Sequence, residues 1–180
     1  MKAKKTKVTV YSDGETAELI VNGHSYGRKK TKKYKAVFKR VVYKPGTITA
    51  ISYDGEGKEQ SRTSMKTAAG ATELRVVADR STLQAKTQDL AYISIDLTGA
   101  DGTTKSSEDT AVTVEVDGAG ALLALGSARP NMGENFFSDT HTTYYGKALA
   151  VVRGGDVPGK VTVTVKAKGL RAKTLELEVI

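Results

Sequence analysis

The sequence contains no cysteine and no tryptophan, and it has only 3 prolines in 180 residues. Without cysteine, neither disulfides nor thiolate metal ligands can form. Cysteine-free proteins occur both inside and outside the cytoplasm, so a cytoplasmic, periplasmic or secreted location stays open. The absence of tryptophan argues against a sugar-binding module that stacks indole rings on its ligand.

Long apolar runs are missing as well. No segment approaches the ~18 consecutive apolar residues of a membrane helix. The first residues, MKAKKTKV, are basic but lead directly into an alternating strand, without the apolar core of a signal peptide. The sequence therefore predicts no membrane span.

The residues that are present favour strands in two separate domains. Val, Ile, Leu and Thr are frequent, and 18 glycines mark turns. Residues 1–68 carry 16 Lys and Arg against 6 Asp and Glu, whereas residues 69–180 carry 12 against 14. The small residues Ala68-Ala69-Gly70-Ala71 interrupt the strand pattern between these halves. We therefore expect a small basic module at 1–68 and a second domain at 69–180.

Short strand-like runs recur along the whole chain. In the first module, turn signals such as Asn22-Gly23 supply positive φ angles and predict a meander of antiparallel strands. In the second, about seven runs with frequent glycine turns are typical of an immunoglobulin-like sandwich. We predict an all-β chain of two tandem immunoglobulin-like β-sandwich domains. The predicted strands are Lys7–Tyr11, Ala17–Val21, Tyr34–Tyr43, Thr47–Tyr53, Ser61–Thr67, Glu73–Ala78, Ala91–Leu97, Val112–Val116, Leu122–Leu125, Lys147–Arg153, Lys160–Ala167 and Thr174–Ile180.

One ordered set of segments carries a family resemblance: VTVYSDGETAELIVNGHSYGRKK, YKPGTITAISYDGEGKE, TAAGATELRVVADRSTLQAKTQDLAYISIDLTGADG, DGAGALLALGSARP and GKALAVVRGG. Together they resemble the C-terminal accessory region of glycoside hydrolase family 2, especially of bacterial β-galactosidases. The resemblance covers essentially all 180 residues. Family members often read Asn-Gly-Asp-Pro where this chain has Ser127-Ala128-Arg129-Pro130.

The resemblance implies a non-catalytic role. In that family the catalytic glutamates belong to a barrel domain, so no glutamate of this chain inherits their function. We expect an accessory fragment of a β-galactosidase-like hydrolase, with a structural or interdomain role and an influence on substrate access. Its partners would be the catalytic and other domains of a parent that hydrolyses β-glycosidic bonds in carbohydrate metabolism. No cofactor is indicated.

Two other functions remain open at this stage. Bacterial immunoglobulin-like repeats of a surface adhesin share the sheet pattern and the lack of cysteine. An autonomous carbohydrate-binding module would use the aromatic residues described below. The adhesin is less favoured because the two halves of the chain differ in length, charge and motif.

No complete catalytic or metal centre is visible in the sequence. Retaining glycoside hydrolysis needs two carboxyl groups about 5 Å apart. The acidic groups that lie close in sequence are predicted in turns or on polar strand sides, which favours solvated surface charge. The histidines, His24 and His141, fall in different domains without further ligands at metal-binding spacing, and His24 is expected in a turn. The acidic groups are Glu15/Glu18, Glu56/Glu59, Glu108/Asp109 and Glu176/Glu178.

The segment Arg28–Arg40, RKKTKKYKAVFKR, has eight cationic residues in thirteen. Aromatic residues between cations are typical of proteins that contact phosphates and stack bases. Here Tyr34, Ala36 and Phe38 alternate with Lys33, Lys35, Val37 and Lys39, which predicts a half-buried strand. Its cations would be solvated or would face an acidic surface on another domain. We favour the strand and expect no nucleic-acid partner.

Residues 126–146, GSARPNMGENFFSDTHTTYYG, separate two predicted core strands, and such long loops usually have a function. Aromatic faces together with amide and guanidinium donors suit a neutral sugar. The same side chains suit plugging one end of the sandwich or docking on another domain, which we favour because phenylalanine offers no hydrogen bond. The candidate carbohydrate or interdomain contacts are Arg129, Asn131, Asn135, Phe136, Phe137, His141, Tyr144 and Tyr145.

Overall fold

The structure, a computed structural model, describes residues 5–130 and 133–180. Every regular element in those two ranges is a strand, which confirms the all-β prediction. The same ranges contain no helix long and apolar enough to cross a membrane. The strands are β1 (Lys5–Tyr11), β2 (Thr16–Val21), β3 (His24–Lys30), β4 (Lys35–Val42), β5 (Thr47–Tyr53), β6 (Glu59–Lys66), β7 (Thr72–Ala78), β8 (Thr82–Leu83), β9 (Leu90–Gly99), β10 (Ala111–Gly118), β11 (Gly120–Gly126), β12 (Thr140–Thr142), β13 (Lys147–Gly154), β14 (Gly159–Ala167) and β15 (Lys173–Val179).

The chain divides into two compact units, Met1–Thr67 and Ala68–Ile180. The division falls beside the small-residue segment at which the strand pattern of the sequence is interrupted. That each unit folds independently stays a prediction.

The first unit buries the faces of two sheets against each other. A four-stranded sheet has the order β3-β2-β5-β6, and a two-stranded sheet pairs β1 with β4. Its core contains Ala17, Leu19 and Val21 from β2 and Ala36, Phe38 and Val41 from β4. The strands are antiparallel as predicted. The predicted meander is wrong, because β2 pairs with β5 and β4 pairs with β1 in the other sheet. This order lets the apolar side of β4 cover the apolar side of β2.

A β-bulge reverses the side-chain alternation near the end of β4. Thr6 pairs with Val41 and Val8 pairs with Phe38, so Lys39 and Arg40 both lie opposite one residue of β1. Arg40 has a φ of 59°, in the left-handed region. The extra residue turns Val41 inward, where simple alternation from Phe38 would have placed Arg40.

The prediction that Tyr34 lies on the buried side of this strand is wrong. Lys33 and Tyr34 have φ angles of 48° and 60° and form a turn before β4 begins. Because the chain has not yet entered the pleated sheet, strand alternation does not fix the direction of the ring, and Tyr34 is 72% exposed.

The Asn22-Gly23 pair forms the tight turn that its sequence indicates. These residues have φ angles of 49° and 79° and join β2 to β3, with Val21 paired to His24. Positive φ at both central residues matches the twist of the flanking strands. His24 therefore begins strand β3, which corrects its expected place in the turn.

The second unit is a sandwich of a five-stranded and a four-stranded sheet. The five-stranded sheet has the order β12-β10-β14-β15-β8, and the four-stranded sheet has the order β11-β13-β9-β7. Alternate residues of β14, Val161, Val163 and Val165, are fully buried against Ile93 and Ile95 of β9 and their neighbours. Burying a side chain of this size stabilises the fold by about 1.5–3 kcal/mol, so this face supplies much of the stability.

Strands β10 and β11 are nearly continuous in sequence but belong to opposite sheets. Gly118, with a φ of 96°, lies at the crossing between them. A Cβ atom at this position would collide with the carbonyl oxygen of Lys160. Glycine is required there because only its backbone permits both the angle and the close approach.

Candidate functional site

The 126–146 insertion is bonded to both sheets of the second unit. Its strand β12, which the sequence did not predict, adds to the edge of the five-stranded sheet, with His141 paired to Val112 of β10. On the other side, Leu125 N of β11 donates to the Phe136 carbonyl oxygen at 2.8 Å. The insertion is therefore an ordered part of the sandwich in its described residues.

His141 is the buried centre of the insertion and is fully enclosed. Its Nδ1 lies 3.0 Å from the Thr142 carbonyl oxygen and 3.5 Å from Glu134 Oε2. The Phe136 ring stacks on it with a centroid distance of 5.8 Å and an interplanar angle of 14°. Its Nε2 is buried without a hydrogen-bond partner among the described residues. The imidazole thus fills space beneath Phe136, and solvent has no path to it as a general base.

Glu134 ties the insertion to β12. Thr142 donates through Oγ1 at 2.6 Å and through its backbone N at 3.1 Å to Glu134 Oε1. The side-chain hydrogen bond from Thr142 lowers the pKa of Glu134 below its ordinary value. A carboxyl group with a lowered pKa stays ionised. Glu134 therefore holds the insertion by accepting hydrogen bonds and is unsuited to general-acid catalysis.

Arg129 joins the insertion to the loop before β10. Its Nη2 donates to Asp109 Oδ2 at 3.0 Å and to the Thr143 carbonyl oxygen at 3.3 Å. Its guanidinium carbon lies 5.5 Å from the centroid of the Tyr144 ring. One donor, Nε, is buried without a partner among the described residues. Nη2 is therefore already engaged within the protein, and the buried Nε is not accessible to a sugar hydroxyl.

The insertion ends in a two-residue turn, Tyr145-Gly146, with φ angles of 51° and 70°. Tyr144 and Lys147 are bonded to each other on either side of the turn. A tyrosine in the left-handed region is unfavourable, and the turn exposes 60% of this residue. The Tyr145 side chain raises the pKa of neighbouring Tyr144, and their ring centroids lie 4.4 Å apart.

The structure leaves only some of the predicted contact residues accessible on the surface of the insertion. Phe136 is 49% exposed and Phe137 is 82% exposed, whereas His141 is enclosed. Asn135 uses its Oδ1 to accept from Phe137 N at 2.9 Å, which shapes the local turn. Asn131 lies outside the described residues. What remains accessible is mainly aromatic surface, which suits apolar contact more than the binding of hydroxyl groups.

Each of the close acidic groups has at least one carboxylate that is engaged with a partner. Glu18 accepts from Ser25 at 2.6 Å and from Tyr53 at 2.8 Å. In each of the other three groups, one glutamate pairs with a cation: Glu59 with Arg62, Glu108 with Lys105 and Glu176 with Lys160. These contacts match the predicted surface role.

Resolved pKa shifts of carboxyl groups in the described residues all point downward. Hydrogen bonds lower the pKa of Glu18 through Ser25, of Glu59 through Arg62 and of Glu108 through Thr72. A glycosidase acid requires a raised pKa, so that it holds a proton to donate near neutral pH. None of these carboxyl groups meets that requirement.

The grooves described below, within residues 5–130 and 133–180, hold few carboxyl groups. A groove of about 390 Å³ lies over the Gly118–Ala121 crossing and contains one carboxyl group, that of Asp156. A groove of about 340 Å³ has Glu176 and Glu178 on its rim, but Glu176 is 58% exposed and bonded to Lys160. No group of three or more His, Cys, Asp or Glu side chains converges within those ranges.

The cations of the 28–40 segment make local contacts. The Arg28 guanidinium lies 3.3 Å from the centroid of the Tyr53 ring. Lys29 Nζ donates to the Val37 carbonyl oxygen at 2.8 Å and lies 5.0 Å from the Phe38 ring. Ala36 and Phe38 are 1% exposed, as the predicted half-buried strand requires.

Comparison with known proteins agrees with this β-sandwich fold. Residues 74–176 match the family model of glycoside hydrolase family 2 C-terminal domain 5, and residues 3–61 match a domain of unknown function. The first match spans more than half of the sequence. The chain therefore belongs to the glycoside hydrolase family 2 C-terminal domain 5 family, which confirms the resemblance.

Individual relatives point the same way. The chain is 30% identical over 168 residues to β-galactosidase BoGH2A of Bacteroides ovatus. Its fold matches a glycosyl hydrolase family 2 member from Bacteroides cellulosilyticus with a TM-score of 0.93 at 30% identity, over 99% of this chain and 23% of that one. It also matches the fold of a β-glycosidase from Bacteroides vulgatus, with a TM-score of 0.86 at 23% identity over 98% of this chain and 23% of that one.

The relatives are much longer than this chain. The B. ovatus alignment includes 93% of the present sequence but only 20% of the relative. In the B. ovatus and B. cellulosilyticus proteins, the matching region is one part of a longer chain.

Proposed function

We propose that this chain is a non-catalytic accessory region of a family 2 glycoside hydrolase, with a parent that resembles a β-galactosidase. It stabilises the assembly and provides a surface for the catalytic and other domains. The observation that carries the proposal is the family match together with carboxyl groups that are neutralised by local partners. Hydrolysis of the β-glycosidic bond then belongs to another part of the parent.

The first test separates an accessory region from an enzyme. The purified chain is incubated with a chromogenic β-galactoside and, separately, with a 2-deoxy-2-fluoro glycoside that traps the nucleophile of retaining glycosidases. We expect no colour and no added mass on the intact protein. An active β-galactosidase treated in parallel is the positive control. A stoichiometric covalent adduct on this chain would contradict the proposal.

The reading frame that precedes the codon of Met1 provides a second test. A parent glycosidase requires an upstream region with alternating strands and helices, as in a barrel. A series of further β repeats of about 90 residues would instead support the surface adhesin.

Within this role, the 126–146 insertion is proposed to contact another domain of the parent and to limit access of substrate. The exposed rings of Phe137 and Tyr145, with the half-exposed Phe136, support an apolar contact. The bonds of Arg129 and Glu134 hold the insertion in one shape, so little ordering is needed when a partner docks.

The same exposed rings favour a second candidate, direct binding of a neutral sugar. Amide resonances of residues 133–146 are followed by NMR while galactosides and neutral polysaccharides are added to millimolar concentration. Interdomain docking predicts unchanged shifts, because the partner surface is absent. Saturable shifts confined to the insertion would replace docking with sugar binding.

A further inference from the structure

The two-stranded sheet of the first unit has an exposed face that is strongly cationic. Its opposite face is buried through Ala36, Phe38 and Val41. Register and alternation place the remaining side chains outward. The cationic face is defined here by Lys7, Tyr11, Lys35, Lys39 and Arg40, and all five residues are exposed.

The bulge concentrates positive charge at one position of this face. Because Thr6 pairs with Val41 and Val8 with Phe38, Lys7 lies opposite both Lys39 and Arg40. Like charges directly opposite each other destabilise a sheet, and the left-handed backbone of Arg40 adds strain. Bulges commonly re-aim side chains beside binding sites. An anion bound at this point would offset the repulsion between the cations that the bulge brings together.

Within residues 5–130 and 133–180, no carboxylate forms an ion pair that neutralises this charge. None of Lys7, Lys35, Lys39 and Arg40 forms an ion pair in the parts of the chain that the structure describes. Two acidic residues of this unit are engaged elsewhere, Glu59 with Arg62 and Glu18 with Ser25 and Tyr53. Residues 1–68 have 16 basic against 6 acidic residues, so the unit as a whole attracts polyanions.

The spacing of the charges suits an extended polymer. Antiparallel strands rise about 3.4 Å per residue, which places Lys35 and Lys39 roughly 14 Å apart along β4. Beside them, the Tyr11 ring is 70% exposed and lies 5.5 Å from Lys35 Nζ. An exposed aromatic face can cover the C–H face of a sugar while the neighbouring ammonium groups bind its acidic substituents.

We propose that the cationic face binds an anionic polysaccharide that carries carboxylate or sulfate groups. Lys7, Lys35, Lys39 and Arg40 contact the charges, and Tyr11 packs against a sugar ring. The choice of a glycan over a nucleic acid rests on the proposed function, in which the parent acts on carbohydrate. The face would hold the enzyme on an acidic glycan while chemistry occurs in another domain.

Binding of the intact chain to four polymers tests this proposal. Polygalacturonate provides carboxylates, chondroitin sulfate provides sulfates as well, a neutral galactan lacks charge, and single-stranded DNA provides phosphates. Calorimetric titrations begin near 50 mM salt, where electrostatic attraction is only partly screened. We expect saturable binding to at least one acidic glycan, weakened by added salt, with no binding to galactan and weaker binding to DNA.

Paired substitutions locate the binding face. Lys35→Gln/Lys39→Gln should weaken glycan binding at least about tenfold, because two direct charge contacts are lost. The matched control, Lys168→Gln/Lys173→Gln, removes two exposed lysines of the second unit and so lowers the net charge by the same amount. It should change affinity less than about twofold, because the proposal assigns binding to the cationic face and not to net charge alone. Lys35→Arg/Lys39→Arg keeps both charges and should retain affinity. This result is expected even if the glutamine variant melts at a lower temperature.

Three results would overturn the inference. They are no binding to either acidic glycan at low salt, equal losses in the test and control variants, and DNA binding at least as tight as glycan binding. Loss of affinity in the arginine variant would have the same consequence. None of these results bears on the expected absence of galactoside turnover, and turnover by the chain would contradict the accessory role while leaving glycan binding intact.

Discussion

The two units use the same kind of antiparallel sheet but differ greatly in core and charge. Among the residues that the structure describes, the core cluster of the first unit contains six buried side chains, whereas that of the second contains seventeen. The first also carries the cationic excess of the chain. Because a small core leaves little surplus over conformational entropy, charge repulsion matters more in the first unit. The smaller unit therefore suits binding, and the larger unit suits support.

The largest expected effect is the loss of stability caused by core substitutions, which we compare between the two units. Phe38→Ala should destabilise the first unit by about 3–5 kcal/mol, enough to unfold a small domain. Ile95→Ala should cost the second unit about 2–5 kcal/mol yet leave it folded at 25 °C, because its cluster is larger. Urea unfolding followed by assigned amide resonances in each unit measures both effects.

The neighbouring substitution Val37→Ala is the control for Phe38. Val37 is 36% exposed on the opposite side of the same strand, so little change is expected. Simultaneous loss of both units in the Phe38 variant would show that they do not unfold separately.

The next effect compares glycine positions in the two units. Gly118→Ala should destabilise the second unit by about 2–4 kcal/mol, because unfavourable φ and a backbone collision add together. Gly23→Ala in the first unit should cost only about 1–2 kcal/mol, since its φ is 79° but nothing lies within 4 Å of the added carbon. The midpoint of chemical denaturation is measured for the unit that carries each substitution. Equal midpoint shifts for Gly118→Ala and Gly23→Ala would contradict the requirement for glycine at the β10–β11 crossing.

A smaller, opposite effect is expected at Tyr145. Tyr145→Asn should stabilise the second unit by up to about 1 kcal/mol, because asparagine tolerates the left-handed region of this turn better. The change should also remove an exposed ring from the insertion. A lowered thermal midpoint would show that the ring makes a stabilising contact that its exposure does not reveal.

The smallest effect concerns pH and probes one carboxyl group in each unit. The pKa of Glu18 is lowered by its hydrogen bond from Ser25, and that of Glu134 by its bond from Thr142. A carboxyl group with a lowered folded-state pKa stabilises the protein above its unfolded pKa, near 4.5, and loses this contribution as pH falls. Glu18→Gln and Glu134→Gln should each flatten the acid limb of stability for the unit concerned.

Unfolding free energies measured from pH 6 downward to about pH 3 test this sign. Glu115→Gln, which alters an exposed ion pair with Lys166, is the comparison variant. Steeper acid destabilisation in either of the first two variants would contradict the assignment.

Most core strands could be predicted because their apolar residues alternate. Val161, Val163 and Val165 alternate with polar residues, and the Asn22-Gly23 turn has the residue types that positive φ favours. Strand β3 could not be found this way, because its residues are almost all exposed and polar. Edge strands are held by backbone bonds to a neighbour, which leave no mark on side-chain periodicity.

The candidate site was harder to predict than the fold. The sequence indicates that residues 126–146 are rich in aromatic and donor side chains. It does not show that His141 is enclosed while Phe137 is exposed, since this depends on the pairing of β12 with β10. The engagement of Arg129 by Asp109 joins residues twenty positions apart, and no local pattern indicates it.

The sequence alone determined the all-β class, the division of charge and the family, because strand alternation, turn chemistry and ordered motifs are local properties. Tertiary structure decided which strands pair, that the bulge places Lys39 and Arg40 opposite Lys7, and which aromatic rings remain exposed. These features follow from mutual burial of two apolar faces and from backbone bonds between residues distant in the chain. Such contacts depend on the packing of the complete fold, and a single segment does not specify them.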